Sequence, residues 1–309
     1  MNSIRAYFNE VFEASVAGWN RFWFEPADPA TLAVIRICTG AMLLYTHLIW
    51  GLDLLGFFGA DGRLPEMFSR AMNNSEFAWS PLFGMTSPTL LWTFHVTALA
   101  CFACLMIGAW TRITAWASFL FAVAYANRAA GALFGLDQIN VFLALYLAVG
   151  PAGDAYSWDR RRQRGAGRCP SIGANIALRL IQCHMCIVYL FAGLGKLLGP
   201  TWWEGTALWG AFANLEYQTL DMTWVCSHPM PVNFVTHLIL VWEISYIALI
   251  WPRLTRPIML ALAIPLHLGI AICMGMITFG LIMLVGNFAF VPSWCVRQWL
   301  GERDVAGPT

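Results

Sequence analysis

Eight apolar stretches divide the chain, at 30–54, 88–110, 112–134, 138–153, 174–199, 231–251, 257–275 and 277–294. A membrane-crossing helix needs about 20 mostly apolar residues, and the fourth and eighth stretches are the shortest. No internal repeat or low-complexity tract interrupts the pattern. The fold expected from it is all-α: an integral membrane bundle of about eight transmembrane helices. Two longer connections, 55–87 and 200–230, are rich in Trp, Phe, Gly and Pro. They read as interfacial helical caps on the outer face. Ahead of the first stretch, Phe8, Phe12, Trp19, Phe22, Trp23 and Phe24 alternate with charges. That pattern suits an amphipathic helix lying in the interface before Pro26 and Pro29 turn the chain inward. With no small-residue cleavage site, it is not a secretory signal. The plan is an interfacial segment at 1–29, a transmembrane domain at 30–294 and a cytoplasmic tail at 295–309.

Composition fixes the solvent. Hydrophobic residues make up 59% of the chain and charged ones 11%, where soluble domains carry roughly a quarter charged. Only lipid accepts such an exterior. A net charge of +1, with no basic arm, argues against nucleic acid as a partner. Charge placement sets the orientation. With the N-terminus inside, twelve basic residues fall in cytoplasmic segments, including Arg160, Arg161, Arg162, Arg164, Arg168 and Arg303. The outer segments hold four: Arg63, Arg70, Arg128 and Lys196. The expectation is a multi-pass protein of the cell (inner) membrane with both ends cytoplasmic, the arginine cluster acting as a topogenic loop.

A charge at mid-membrane costs at least about 2.5 kcal/mol, so each one present marks a partner or a task. Arg36 and Arg179 fall in the inner halves of the first and fifth helices, Glu243 near the middle of the sixth, and His184 and His267 near mid-depth. His47 and Lys196 lie toward the outer face. Glu243 reads as an ion-pair partner for Arg36 or Arg179, and His184 as a hydrogen bond to a neighbouring helix. Lys196 is the only lysine. Arginine keeps its proton, whereas a buried lysine can release it and act as a base. The competing reading is an interface anchor beside Trp202 and Trp203. Two Cys-x-x-Cys pairs, Cys101/Cys104 and Cys183/Cys186, put both thiols on one helix face. They lie well inside helices and read as apolar filler before they read as redox or metal sites. Hydrolase, phosphate-loop and haem motifs are absent.

The run YLFAGLGKL at 189–197, followed by GPTWWEG at 199–205, resembles the HTTM family, the membrane domain shared with vitamin K-dependent gamma-glutamyl carboxylase. WFEPADPATLAVIRICTG at 23–40 is similar to the family's opening helix. The NR, GLDQ and SWD positions within 127–161 and the Glu243, WPRL and His267 region at 243–268 agree in order. The resemblance implies an enzyme that deprotonates reduced vitamin K, or a menaquinol-type quinol, with a lysine at the position of Lys196. Molecular oxygen then converts the quinol into a strong base and finally an epoxide, and carbon dioxide adds to the deprotonated substrate. On that reading Lys196 and His267 are catalytic, and Tyr189, Gly193, Gly195, Trp202, Trp203 and Glu243 bind the quinol. Gly193 and Gly195 leave room for a flat ring. The partners are membrane lipid, a lipophilic quinol and a peptide or protein substrate.

Carboxylation itself stays open. The carboxylase has two lysines in its motif where this chain has Gly195 before Lys196, and it adds a large lumenal region for its substrate. Two other readings remain. One is a non-enzymatic membrane partner in processing, export or immunity for a peptide. The other is a proton-coupled transporter with Glu243 and His267 as the relay.

Overall fold

The computed structural model describes residues 2–73, 77–163 and 170–302; Arg164, Arg168 and Arg303 of the basic segments lie outside the described residues. Helix α1 (Asn2–Phe24) leads to α2 (Ala30–Gly51), α3 (Leu54–Phe58), α4 (Glu66–Met72), α5 (Pro88–Ile107), α6 (Thr111–Arg128) and α7 (Gly135–Val149). Then come α8 (Trp158–Arg162), α9 (Ile172–Leu197), α10 (Pro200–Trp203), α11 (Ala207–Phe212), α12 (Pro229–Leu249), α13 (Arg256–Cys273), α14 (Ile277–Asn287) and α15 (Ser293–Trp299). No strand occurs among the described residues.

All eight expected stretches are helical, but they are not equivalent. Helices α2, α5, α9, α12 and α13 are long and apolar enough to cross a membrane. Helix α6 carries Arg112, Asn127 and Arg128 and is less apolar, and α7 has 15 residues. The last stretch stops early: α14 ends at Asn287, a 3-10 turn follows, and α15 leaves at 113°. Pro292, the N-cap of α15, cannot donate to a continuing helix.

Lipid satisfies no backbone group, and it does not drive apolar helix faces together as water does. Close fit and internal hydrogen bonds therefore hold the bundle. A Cβ on Gly40 would lie 2.6 Å from the Met106 nitrogen, so glycine lets α2 meet α5 backbone to backbone. Gly280 does the same for α14, against the His267 carbonyl of α13. Arg36 is fully buried and donates to the carbonyls of Leu105 (2.7 Å), Met106 (2.9 Å) and Tyr156 (2.7 Å). Its charge thus satisfies the C-terminal carbonyls of α5, where a cation is favoured.

Ala27 and Ser171 exchange backbone hydrogen bonds, so α2 and α9 start side by side. The same end holds Arg297, which donates to both oxygens of Asp28 at 2.6 and 2.7 Å. Thr31 donates to the Val291 carbonyl, and Ser293 to that of Asp28. Residues 295–299, expected to open the cytoplasmic tail, belong to α15, which is clasped to the start of α2. The connections at 55–87 and 200–230 emerge at the opposite end, after α2 and α9 respectively. Arg128 ties the first to α6, donating to Ser69 Oγ at 2.9 Å and to the Phe58 carbonyl.

Candidate functional site

Lys196 lies in the last turn of α9, facing α12. A Cβ on Gly193, one turn earlier, would lie 2.8 Å from Ile244 Cγ1 and 3.4 Å from Glu243 Cβ. Gly193 thus brings α9 against α12; the space beside it is filled by α12 and is not open to a ring, contrary to expectation. This close approach puts Lys196 Nζ 2.8 Å from Glu243 Oε1 and 2.7 Å from Oε2. The Trp202 ring covers the ammonium at 5.2 Å, a cation–π distance.

The expected pairing of Glu243 with Arg36 or Arg179 does not occur. Arg36 is occupied by the α5 carbonyls. Arg179 donates to the Phe22 carbonyl (3.2 Å) and to Gln182 Oε1 (2.9 Å), with its guanidinium over the Phe22 ring. Both arginines belong to the end of the bundle remote from Lys196, too far along their helices to reach Glu243.

Lys196 and Glu243 line a cavity of about 290 Å³ between α7, α9, α12, α13 and α14. Tyr189, His184, His267 and Gln138 add polar atoms, and Phe142, Val188, Phe279 and Met283 supply apolar wall. Behind it runs a buried chain of hydrogen bonds. Tyr246 donates to Asn287 Oδ1 (2.7 Å). Asn287 Nδ2 reaches Tyr189 Oη (2.6 Å), and Tyr189 Oη meets His267 Nε2 (2.6 Å). His184 bonds Tyr146 of α7 at 3.0 Å, the neighbouring-helix contact expected of it. Glu243 and His267 share the cavity, but their hydrogen bonds go to Lys196 and Tyr189 respectively.

Four of the sequence-derived site residues therefore line one cavity, Tyr189, Lys196, Glu243 and His267, and a fifth, Trp202, lies over the lysine. A Cβ on Gly195 would meet nothing within 4 Å, so one side of the lysine turn is open. Trp203 is 62% exposed and bonds the Leu197 carbonyl, capping α9 outside the cavity. Sequence reasoning missed Gln138, Tyr246 and Asn287. Asn287 was findable as a carboxamide ending a run of apolar residues, a costly position unless bonded. His47, on α2, belongs to a separate aromatic cluster with Phe102 of α5 and Tyr125 of α6. The cysteines of both Cys-x-x-Cys pairs are free, and no group of three or more His, Cys, Asp or Glu that could hold a metal occurs among the described residues.

A family model described as the HTTM domain matches residues 24–294. No curated protein and no solved structure matches the chain.

Proposed function

The chain belongs to the HTTM domain family, and from that premise we propose a membrane protein of the vitamin K-dependent carboxylase kind that oxidises a quinol with oxygen, with Lys196 as the base. One observation carries the reading. The sole lysine, paired with Glu243, stands on the wall of a mostly aromatic and apolar cavity to which Gln138, His184, His267 and Tyr189 add polar atoms.

The cavity suits a quinol headgroup. About 290 Å³ is at the small end of ligand sites. That is room for a flat ring, with an isoprenoid tail left in lipid. Tyr189, Phe142 and Phe279 offer flat faces, and His267 offers a ring nitrogen without a partner among the described residues. A bound quinol would supply the electrons that reduce oxygen. Once it has passed its own proton to Glu243, Lys196 Nζ would take a proton from a ligand hydroxyl, and Glu243 Oε1 would hold the resulting ammonium in place. Trp202 would shield it from water, which strengthens every charge interaction inside. Tyr189 and His267 would orient the ring. Substrate carboxylation with carbon dioxide stays outside the proposal.

We also place the bundle across the cell membrane as eight spans with both chain ends cytoplasmic. Support comes from Arg160, Arg161, Arg162, Arg253, Arg256 and Arg297, which share the end where α2 and α9 begin, as the positive-inside rule requires. The connections at 55–87 and 200–230 then cap the outer face, and α1 lies in the inner interface.

The chemical test uses the full chain in lipid nanodiscs with reduced naphthoquinone and oxygen. Mass spectrometry should find the quinone epoxide. General-base loss costs roughly 10²–10⁴-fold in rate, so Lys196→Ala should reduce epoxide formation by at least about 100-fold while remaining folded. No epoxide from the wild type across several quinols would sink the reading.

A further inference from the structure

The hydrogen-bond chain behind the cavity has a direction, and that direction can be worked out. Asn287 Nδ2 lies 2.9 Å from the Met283 carbonyl. A carbonyl only accepts, so the nitrogen of the amide must be on that side. The amide oxygen then faces Tyr246 Oη, which donates to it at 2.7 Å. The second Nδ2 proton goes to Tyr189 Oη at 2.6 Å. A phenol has one proton. Asn287 already donates to its oxygen, so the arrangement that leaves no phenolic proton without a partner has Tyr189 giving it to His267 Nε2 at 2.6 Å. Nε2 is thereby an acceptor, and in a neutral imidazole the proton sits on Nδ1. His267 is 2% exposed, its ring forms part of the cavity wall, and Nδ1 has no partner among the described residues. A buried donor left without a partner is costly, so an occupant with an acceptor oxygen would relieve it.

We infer that Asn287, acting through Tyr189, holds His267 as the Nδ1–H tautomer, so that the cavity presents a hydrogen-bond donor to an acceptor oxygen of its ligand: a quinone carbonyl or the oxygen of a deprotonated quinol. Asn287 and Tyr246 are positioning residues; His267 is the group that touches the ligand. The identity of the ligand rests on the quinol reading above, whereas the tautomer does not. The arrangement also divides the work of the site. Lys196 takes a proton at one ligand oxygen, and His267 gives a hydrogen bond without giving up its proton. A ligand without an acceptor atom at that position gains nothing from Nδ1–H.

The test reads the ring nitrogens directly. The full chain, labelled with ¹⁵N-histidine and held in nanodiscs, is examined by NMR, with His267→Gln identifying the His267 signals. The wild type should carry its proton on Nδ1. Asn287→Asp nearly preserves the shape but offers only acceptors. Tyr189 should then turn its proton toward the carboxylate and accept from His267, moving the imidazole proton to Nε2. Tyr189→Phe, which removes the phenolic donor, should likewise release Nε2 and serves if the aspartate variant does not fold. A wild-type proton on Nε2, or a proton unmoved in both variants, overturns the inference. The second readout is tryptophan quenching by 2-methyl-1,4-naphthoquinone. Loss of one hydrogen bond of this size should weaken binding roughly tenfold in Asn287→Asp. Unchanged affinity with a switched tautomer overturns the ligand contact. No binding by the wild type overturns the quinol reading instead, and the nitrogen measurement still decides the tautomer.

Discussion

Lys196 and Glu243 hold each other in a place where neither is stable alone. Removing one partner of a fully buried pair costs about 3–5 kcal/mol. Lys196 keeps 24% of its side chain exposed, so the expected loss for Glu243→Gln is smaller, about 2 kcal/mol. Lys196→Arg separates structure from chemistry: it keeps the charge and the pair but cannot surrender a proton. Thermal unfolding should place Lys196→Arg close to the wild type and Glu243→Gln clearly below it. The epoxide assay should find Lys196→Arg as inactive as Lys196→Ala, and an active arginine variant would reduce Lys196 to an anchor. The lysine itself was legible because it is unique in the chain. Its partner was not, since Glu243 read as a partner for Arg36 or Arg179 until α9 was seen lying against α12. Arg36 and Arg179 misled for a related reason. A buried arginine can be satisfied by carbonyls at a helix end, and no carboxylate is then needed.

The helices were readable because lipid leaves the backbone no other way to satisfy itself, and so apolar length alone locates them. Where they end was less readable. The last stretch looks continuous to 294 but breaks after Asn287, whose side chain is committed to Tyr189 and Tyr246. Glycine roles were also hidden. Gly193 and Gly195 look alike in sequence, yet one is pressed on Ile244 and the other faces open space. This difference can be measured. Gly193→Ala should destabilise by about 1–3 kcal/mol through overfilling. Ile244→Ala should restore much of that loss in the double variant. Unfolding of the four proteins gives the coupling, and simple additivity would show that α9 and α12 do not depend on this contact. Gly195→Ala should be nearly neutral for stability.

The bundle is stitched at one end by Asp28 and Arg297 and carries its lysine site toward the other. Its class was legible from composition, and its two long connections from their Trp, Gly and Pro content. The sides of the membrane can be checked at Cys226, an exposed cysteine in the 200–230 connection. A membrane-impermeant thiol reagent applied to intact cells should label it, and Cys226→Ser should remove the label. Labelling only after the cells are opened would invert the orientation. The ion pair at the end of α9 has one more consequence. The chain has a single side-chain amine, and it is the one that faces the cavity. Proteases that cut after lysine, and acylating agents or aldehydes once the N-terminal amine is set aside, meet the same address. The rate at which Lys196 itself is modified, read on its peptide by mass spectrometry, is therefore a clock for one event, the moment at which Lys196 lets go of Glu243, and anything that fills the cavity should slow it.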